Sequence, residues 1–225
     1  MPMVFQYLAE KKVNIVYIAC YKYIMKREKK HYHHGHLAES LLDAVDEIAT
    51  RFGLEAVTLR GCAKLVDVSP AAAFRHYKDK RALLTAFATR ALNQLADALE
   101  TAKSIANGKG EDEFLAVGLA YIEFSLNKPA FFRAMWREET IYTLNEDYVL
   151  ATERLASYMK GGFVKTIADD DPANFSAQEL LAWSSVHGLA NLFVDGPVGK
   201  GKNQVEKLYI ASDVINQLIP AFHSR

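Results

Sequence analysis

An all-α fold follows from three features of this 225-residue chain. Apolar residues recur at three- and four-residue intervals from Leu37 onward. No segment keeps the period of two that a strand needs. Cap residues and Gly or Pro breaks divide the apolar runs into helical lengths. Half of the residues are hydrophobic, enough for one or two packed domains.

The first 24 residues, MPMVFQYLAEKKVNIVYIACYKYI, are rich in Val, Ile and Tyr. They lack a small-residue cleavage site, and lysines break their apolar runs, so they do not read as a signal peptide. They are expected either to stem from an upstream start codon or to form an accessory helix or strand packed on the body. A basic arm follows, with Lys26, Arg27, Lys29 and Lys30 against only Glu28. It either tracks phosphates or the minor groove of a duplex, or is a solvated tail. Residues 1–30 are read as extension and arm. His31, His33, His34 and His36 have the wrong spacing for a compact helical metal site, and no metal is expected.

Leu37, Leu41, Leu42, Val45, Ile48, Ala49 and Phe52 give a first helix, which Gly53 ends. Thr58 is placed to cap a second, short helix with Leu59, Ala63 and Val66 on one face. Asp67-Val68 makes a turn. Ser69 then caps a third helix that has Pro70 at its first position. Ala71, Ala72 and Ala73 leave this helix almost without bulk, so it can lie deep in a major groove with its N-terminal side chains at base edges. One or both of Phe74 and Tyr77 face inward, although a tyrosine hydroxyl can also reach a phosphate. Arg75 and His76 are left to face nucleic acid. Asp79 caps the next helix, and Lys80 in its first turn suits a phosphate. Residues 58–80 thus have the layout of a helix-turn-helix reader of duplex DNA, within a domain spanning residues 31–80.

Residues 81–225 read as a helical body. A connecting helix runs to about Ile105, NGKGED is a loop, and an apolar helix spans Phe114 to Leu126. Asn127-Lys128-Pro129 breaks it before a short turn of helix, Ala130 to Trp136. A long helix runs from Asn145 to about Ile167, DDDPANF is a loop, and Ser176 caps a helix to about Val194. After DGPVGKGKN, the last helix runs from Val205 to Phe222. The last two helices are apolar on more than one side. Leu180, Leu181, Val186, Leu189, Leu192 and Phe193, with Leu208, Ile210, Val214, Ile215, Leu218 and Ile219, exceed what a single surface helix needs. The expectation is a homodimer joined through these helices as a four-helix bundle. The alternative is a monomer that buries both faces internally. A twofold dimer places two recognition helices about one helical turn apart, over a roughly palindromic operator.

Net charge is zero, yet it is unevenly spread. Residues 22–81 carry 12 Lys and Arg against 8 Asp and Glu, and residues 82–225 carry 13 against 18. A basic head on an acidic body fits DNA contact confined to one end. Cys20 and Cys62 have neither metal nor redox spacing, which fits a reducing cytoplasm. No apolar run reaches the length of a membrane span. There is no Gly-rich phosphate loop, nucleophile elbow or plausible triad, so neither an enzyme nor a cofactor is indicated.

On the motif HYHHGHLAESLLDAVDEIATRFGLEAVTLRGCAKLVDVSPAAAFRHYKDKRALL, the chain resembles the DNA-binding domain of the tetracycline-repressor-like (TetR) family of bacterial transcription regulators. The resemblance implies phosphate contacts from Thr58, His76 and Lys80, and base or backbone contacts from Arg60, Ser69, Ala71, Ala72 and Arg75. Tyr77 joins this DNA-binding set through its hydroxyl. Lys78-Asp79 stands where the family often has proline-serine. Phe74 stands where it often has tyrosine, which removes a hydroxyl from that position. Trp183, His187 and Gly188 in WSSVHGLANLF resemble the Trp-His-Gly signature of one C-terminal effector domain, and residues 121–136 are similar to the helix-break-helix that precedes it. The resemblance covers about 190 residues.

The body is aromatic, and in this family such a region often encloses a small-molecule pocket. Tyr121, Phe124, Phe132, Met135, Trp136, Trp183 and His187 are the ligand-binding candidates. Trp136, Trp183 and His187 lead because each brings a polar N–H into an apolar setting. For His187 a core role, bonded to a backbone carbonyl, remains the alternative. The expected function is a ligand-responsive transcription factor, a repressor released from its operator by an apolar or aromatic effector. Its rivals are a regulator without an effector, an activator, and a helical enzyme or lipid carrier with a vestigial head.

Overall fold

The computed structural model describes residues 37–106, 110–159 and 175–223. The N-terminal extension, the basic arm and its histidines lie outside these residues, as do Phe163 and the continuation of the long helix toward Ile167. The described residues hold nine α-helices and no strand. They are α1 (Leu37–Phe52), α2 (Leu59–Leu65), α3 (Pro70–His76), α4 (Lys80–Ala106), α5 (Gly110–Asn127), α6 (Pro129–Met135), α7 (Glu146–Met159), α8 (Ala177–Val194) and α9 (Gln204–His223). Single 3₁₀ turns at Leu54–Ala56 and Glu138–Thr140 join neighbours. None of the described helices is long and apolar enough to cross a membrane.

One boundary and one buried face differ from expectation, each for a physical reason. Helix α5 starts at Gly110 and takes in Glu111 and Asp112, which the sequence pattern places in a loop. Acidic side chains in a first turn are favoured by the helix dipole. Phe52, expected on the apolar face of α1, is 71 % exposed, because it lies in the last turn beside the reversal at Gly53. That glycine has φ +85° and ψ 162°, a backbone region costly for any other residue.

The described chain forms two compact units. One unit holds residues 37–94 and 128–153. In it α1 packs against α2, α3 and α6, around Leu41, Val45, Cys62, Ala63, Ala73, Leu83 and Phe87. Phe131 of α6 meets Phe87 of α4 at a centroid distance of 4.5 Å. The other unit holds the described parts of 95–127 and 154–225, in which α5 packs against α8 and α9. Gly118 lets α5 approach α9 closely, since a Cβ there would stand 2.8 Å from Ile215 Cδ1.

Candidate functional site

Three local caps set the helix-turn-helix. The Thr58 hydroxyl accepts from the Gly61 N–H at 3.0 Å and the Ser69 hydroxyl from the Ala72 N–H at 3.2 Å. The Asp79 carboxylate accepts from the Ala82 N–H at 2.7 Å. Each satisfies an N–H that the start of a helix would otherwise leave unpaired. Between α2 and α3 the chain reverses at Asp67, at φ +55°, a left-handed conformation that Asp tolerates better than most residues. The N–H of Val68 closes the turn on the Ala63 carbonyl.

Helix α3 then has a defined orientation. Ala73 is its fully buried contact with the core. Ser69, Ala71, Phe74, Arg75 and His76 are exposed, and Ala72 is half-buried. Arg60 of α2 and the cap Thr58 are exposed as well. Two members of the sequence-derived set turn out to be engaged within the fold. The Tyr77 hydroxyl donates to the Ala38 carbonyl at 3.3 Å, tying the end of α3 to the start of α1, and burial pushes its pKa up to about 12. The Lys80 ammonium donates to the Glu55 carbonyl at 2.8 Å. The first bond fastens the end of α3 to the start of α1, and the second fastens the start of α4 to the 3₁₀ turn after α1.

The segment after α6 is fastened to the same unit. Tyr142 donates its hydroxyl to Asp79 Oδ2 at 2.7 Å and its N–H to Thr85 Oγ1 at 2.9 Å. Its ring lies under both the Lys78 ammonium, at 4.5 Å, and the Arg81 guanidinium, at 4.8 Å. Arg81 Nε donates to the Ile141 carbonyl at 2.7 Å, and Arg137 pairs with Glu55. The Ala82 N–H and then Tyr142 hold the Asp79 carboxylate below its usual pKa, and the Arg137 bond does the same for Glu55. Beside these residues an open cleft of about 830 Å³ is lined by Glu39, Tyr77, Thr89, Arg90, Asn93 and Leu144, among others. Sequence reasoning misses this set, because its partners lie some 60 residues apart and leave no local pattern.

The seven ligand candidates divide between the units. Phe132, Met135 and Trp136 belong with α1, and Phe132 and Met135 are fully buried core. Tyr121, Phe124, Trp183 and His187 belong with α5, α8 and α9. There Tyr121 Oη lies 2.8 Å from His187 Nδ1, and the Asn191 amide nitrogen lies 2.8 Å from His187 Nε2. The same nitrogen donates to the His187 carbonyl at 3.1 Å, which can only accept. Nε2 is therefore the acceptor of the ring, and Nδ1–H donates to Tyr121. Burial lowers the pKa of His187, consistent with a neutral imidazole. The Trp183 ring stands 6.5 Å from His187 and 5.6 Å from Phe175. Asn191, absent from the sequence-derived set, lies one helical turn beyond His187, a spacing that could have flagged it.

Glu123 also escapes sequence reasoning. It is 1 % exposed in the middle of α5, and its Oε2 has no hydrogen-bond partner among the described residues. Burial pushes its pKa up to about 7.

The chain is similar in sequence and fold to known proteins. Residues 114–211 match the family model described as Tetracyclin repressor-like, C-terminal domain. The uncharacterized HTH-type transcriptional regulator YobS of Bacillus subtilis (strain 168) is 29 % identical over 100 residues, which are 44 % of this chain and 51 % of YobS. The match thus spans about half the length of that relative. A solved protein of unknown function from Rhodococcus sp. RHA1 is 26 % identical, with a TM-score of 0.65 over 87 % of this chain and all of that one. The TetR family regulator PfmR of Thermus thermophilus is 18 % identical, with a TM-score of 0.58 over 80 % of this chain and 97 % of its own. The described residues, helical with no strand among them, hold an N-terminal helix-turn-helix and a tetracycline-repressor-like C-terminal domain and have the fold of the TetR-family transcription regulators.

Proposed function

We propose that this protein is a sequence-specific DNA-binding transcription regulator, a homodimeric repressor that a small molecule releases from a palindromic operator. The observation that carries this reading is the presentation of α3. Its buried contact is a single alanine, its start is capped, and Arg75 and His76 project outward from its last turn. An exposed guanidinium on a low-bulk helix suits a guanine edge in the major groove, and His76 suits a phosphate. Thr58, Arg60, Ser69, Ala71 and Ala72 complete the proposed DNA-binding set. Tyr77 and Lys80 act through their bonds within the fold.

The effector reading rests on the second unit. Tyr121, His187 and Asn191 form a hydrogen-bonded row beside Trp183, in the part of the chain that resembles the Trp-His-Gly type of effector domain. Phe124 follows Tyr121 by one turn of α5. Side chains of this kind suit an apolar or aromatic ligand with a polar group. A ligand with higher affinity for the released state by several kcal/mol shifts the two-state equilibrium cleanly.

Operator binding by the full chain, measured against salt, tests the reading. Arg75→Ala is expected to lose about 1–3 kcal/mol of discrimination at one base position. Lys80→Ala is expected to lower thermal stability and to weaken operator binding without changing the preferred sequence, because its bond to the Glu55 carbonyl is lost. Equal affinity of wild type and Arg75→Ala for every duplex contradicts the proposal. A ligand found by its effect on melting temperature must also lower operator affinity.

A further inference from the structure

The open cleft beside Tyr142 runs along α4, wholly within the unit of residues 37–94 and 128–153. Ala82, Ala86, Thr89 and Asn93 face it at i, i+4, i+7 and i+11, so short side chains line about 16 Å of helix. Glu39 and Leu42 of α1 line it too, as do Leu144 and Asp147 of the segment before and into α7. Leu144 is 94 % exposed, the most exposed of the large apolar side chains described. The segments that flank the cleft are acidic, since residues 37–50 and 138–147 each carry four Asp and Glu and no Lys or Arg. Lys78 and Arg90, the two cations of the lining, offset only part of this charge.

The N-terminal extension, outside the described residues, has the complementary chemistry. Residues 13–24, VNIVYIACYKYI, hold ten apolar side chains in twelve, which are costly to leave in water. Residues 1–30 carry seven Lys and Arg against two Glu. Residues 25–36 join that segment to Leu37, two positions before Glu39 of the cleft, and reach about 40 Å when extended. The twelve residues 13–24 measure about 18 Å as a helix and about 40 Å extended, so they span the cleft in either form. We propose that residues 13–24 dock in this cleft of their own chain, with apolar side chains against Leu42, Ala86 and Leu144 and lysines toward the acidic flanks. A short tether raises the effective concentration to about the millimolar range, which favours the chain's own segment over that of a second copy. Docking anchors the basic arm at both ends, beside the start of α1.

Hydrogen exchange of the full-length protein, read by mass spectrometry of its peptides, tests the assignment. Amides of residues 13–24 should exchange at least about tenfold more slowly than in a free peptide of the same sequence. Ala86→Trp, which fills the cleft, should restore fast exchange there. So should Leu144→Lys, which replaces an apolar contact by a charge that repels the lysines. Helices α1 and α4 should keep their protection in both variants, and Leu144 is so exposed that its replacement leaves the described packing intact. Three results overturn the assignment. Residues 13–24 exchange as fast in the wild type as in the peptide; or their protection is unchanged in Leu144→Lys and in folded Ala86→Trp, so that they pack elsewhere; or it disappears on dilution, which gives the cleft to the segment of a second copy.

Discussion

The polar side chains at helix starts do more to fix this fold than their small number implies. Thr58 and Ser69 each satisfy one backbone N–H, so replacement by Ala is expected to cost about 1 kcal/mol apiece in urea unfolding. These caps are legible in the sequence because a cap and its partner are three residues apart. Glu123 is not, because a single carboxyl in an apolar run gives no sign of which side of the helix is buried. Its pKa of about 7 against an ordinary 4.5 means that the folded protein holds a proton the unfolded chain releases. Its favourable contribution is complete below pH 4.5 and is lost as pH rises through 7. Glu123→Gln should therefore stabilise the protein at pH 8, by up to about 3 kcal/mol, and have little effect near pH 4.5. A gain that does not grow with pH would count against a buried, protonated carboxyl. His187 has the opposite sign: its pKa is lowered by burial, so stability falls as pH drops below its ordinary 6.5.

Helix order can be read from the sequence almost completely, because periodicity, caps and the break at Asn127-Lys128-Pro129 are all local signals. Which helices share a unit cannot. The segment 128–153 compacts with the helix-turn-helix through Tyr142, Arg81 and Arg137, whose partners are 57 to 82 residues distant. Asp79 caps α4 and also receives the Tyr142 hydroxyl, so one carboxylate joins the start of α4 to the loop before α7. Tyr142→Phe and Asp79→Asn should each lower stability, and the double variant should lose less than their sum, by at least about 0.5 kcal/mol. The coupling is small because the carboxylate is near solvent. Strictly additive losses would show that the bond is absent in solution. The ligand candidates illustrate the same limit. Aromatic content marks the region of all seven, yet Phe132 and Met135 are core of one unit, while Tyr121 and His187 form a hydrogen-bonded pair in the other.

For the assembled protein, α8 provides a sensitive probe. Leu181 and Leu192 are each 43 % exposed, and Gly188 lies between them on the same side of the helix. A Cβ at Gly188 meets nothing within 4 Å among the described residues, so a side chain there does not clash with them. If a second copy crosses α8 at this point, Gly188→Leu should halve the mass seen by sedimentation and abolish operator binding while preserving the helical spectrum. An unchanged mass would place the dimer contact elsewhere. The apolar excess of the last two helices is evident in the sequence, but the central place of Gly188 in the exposed strip emerges only from the structure. The basic head and acidic body are also plain from charge counts, since charge segregation needs no knowledge of packing. What binds to the head is decided by one experiment: selection of genomic fragments by the purified full-length protein at near-physiological salt. A dimeric helix-turn-helix regulator should enrich a short palindrome whose half-sites lie about one helical turn apart. Recovery of fragments without a shared sequence, bound weakly and equally, would contradict that function.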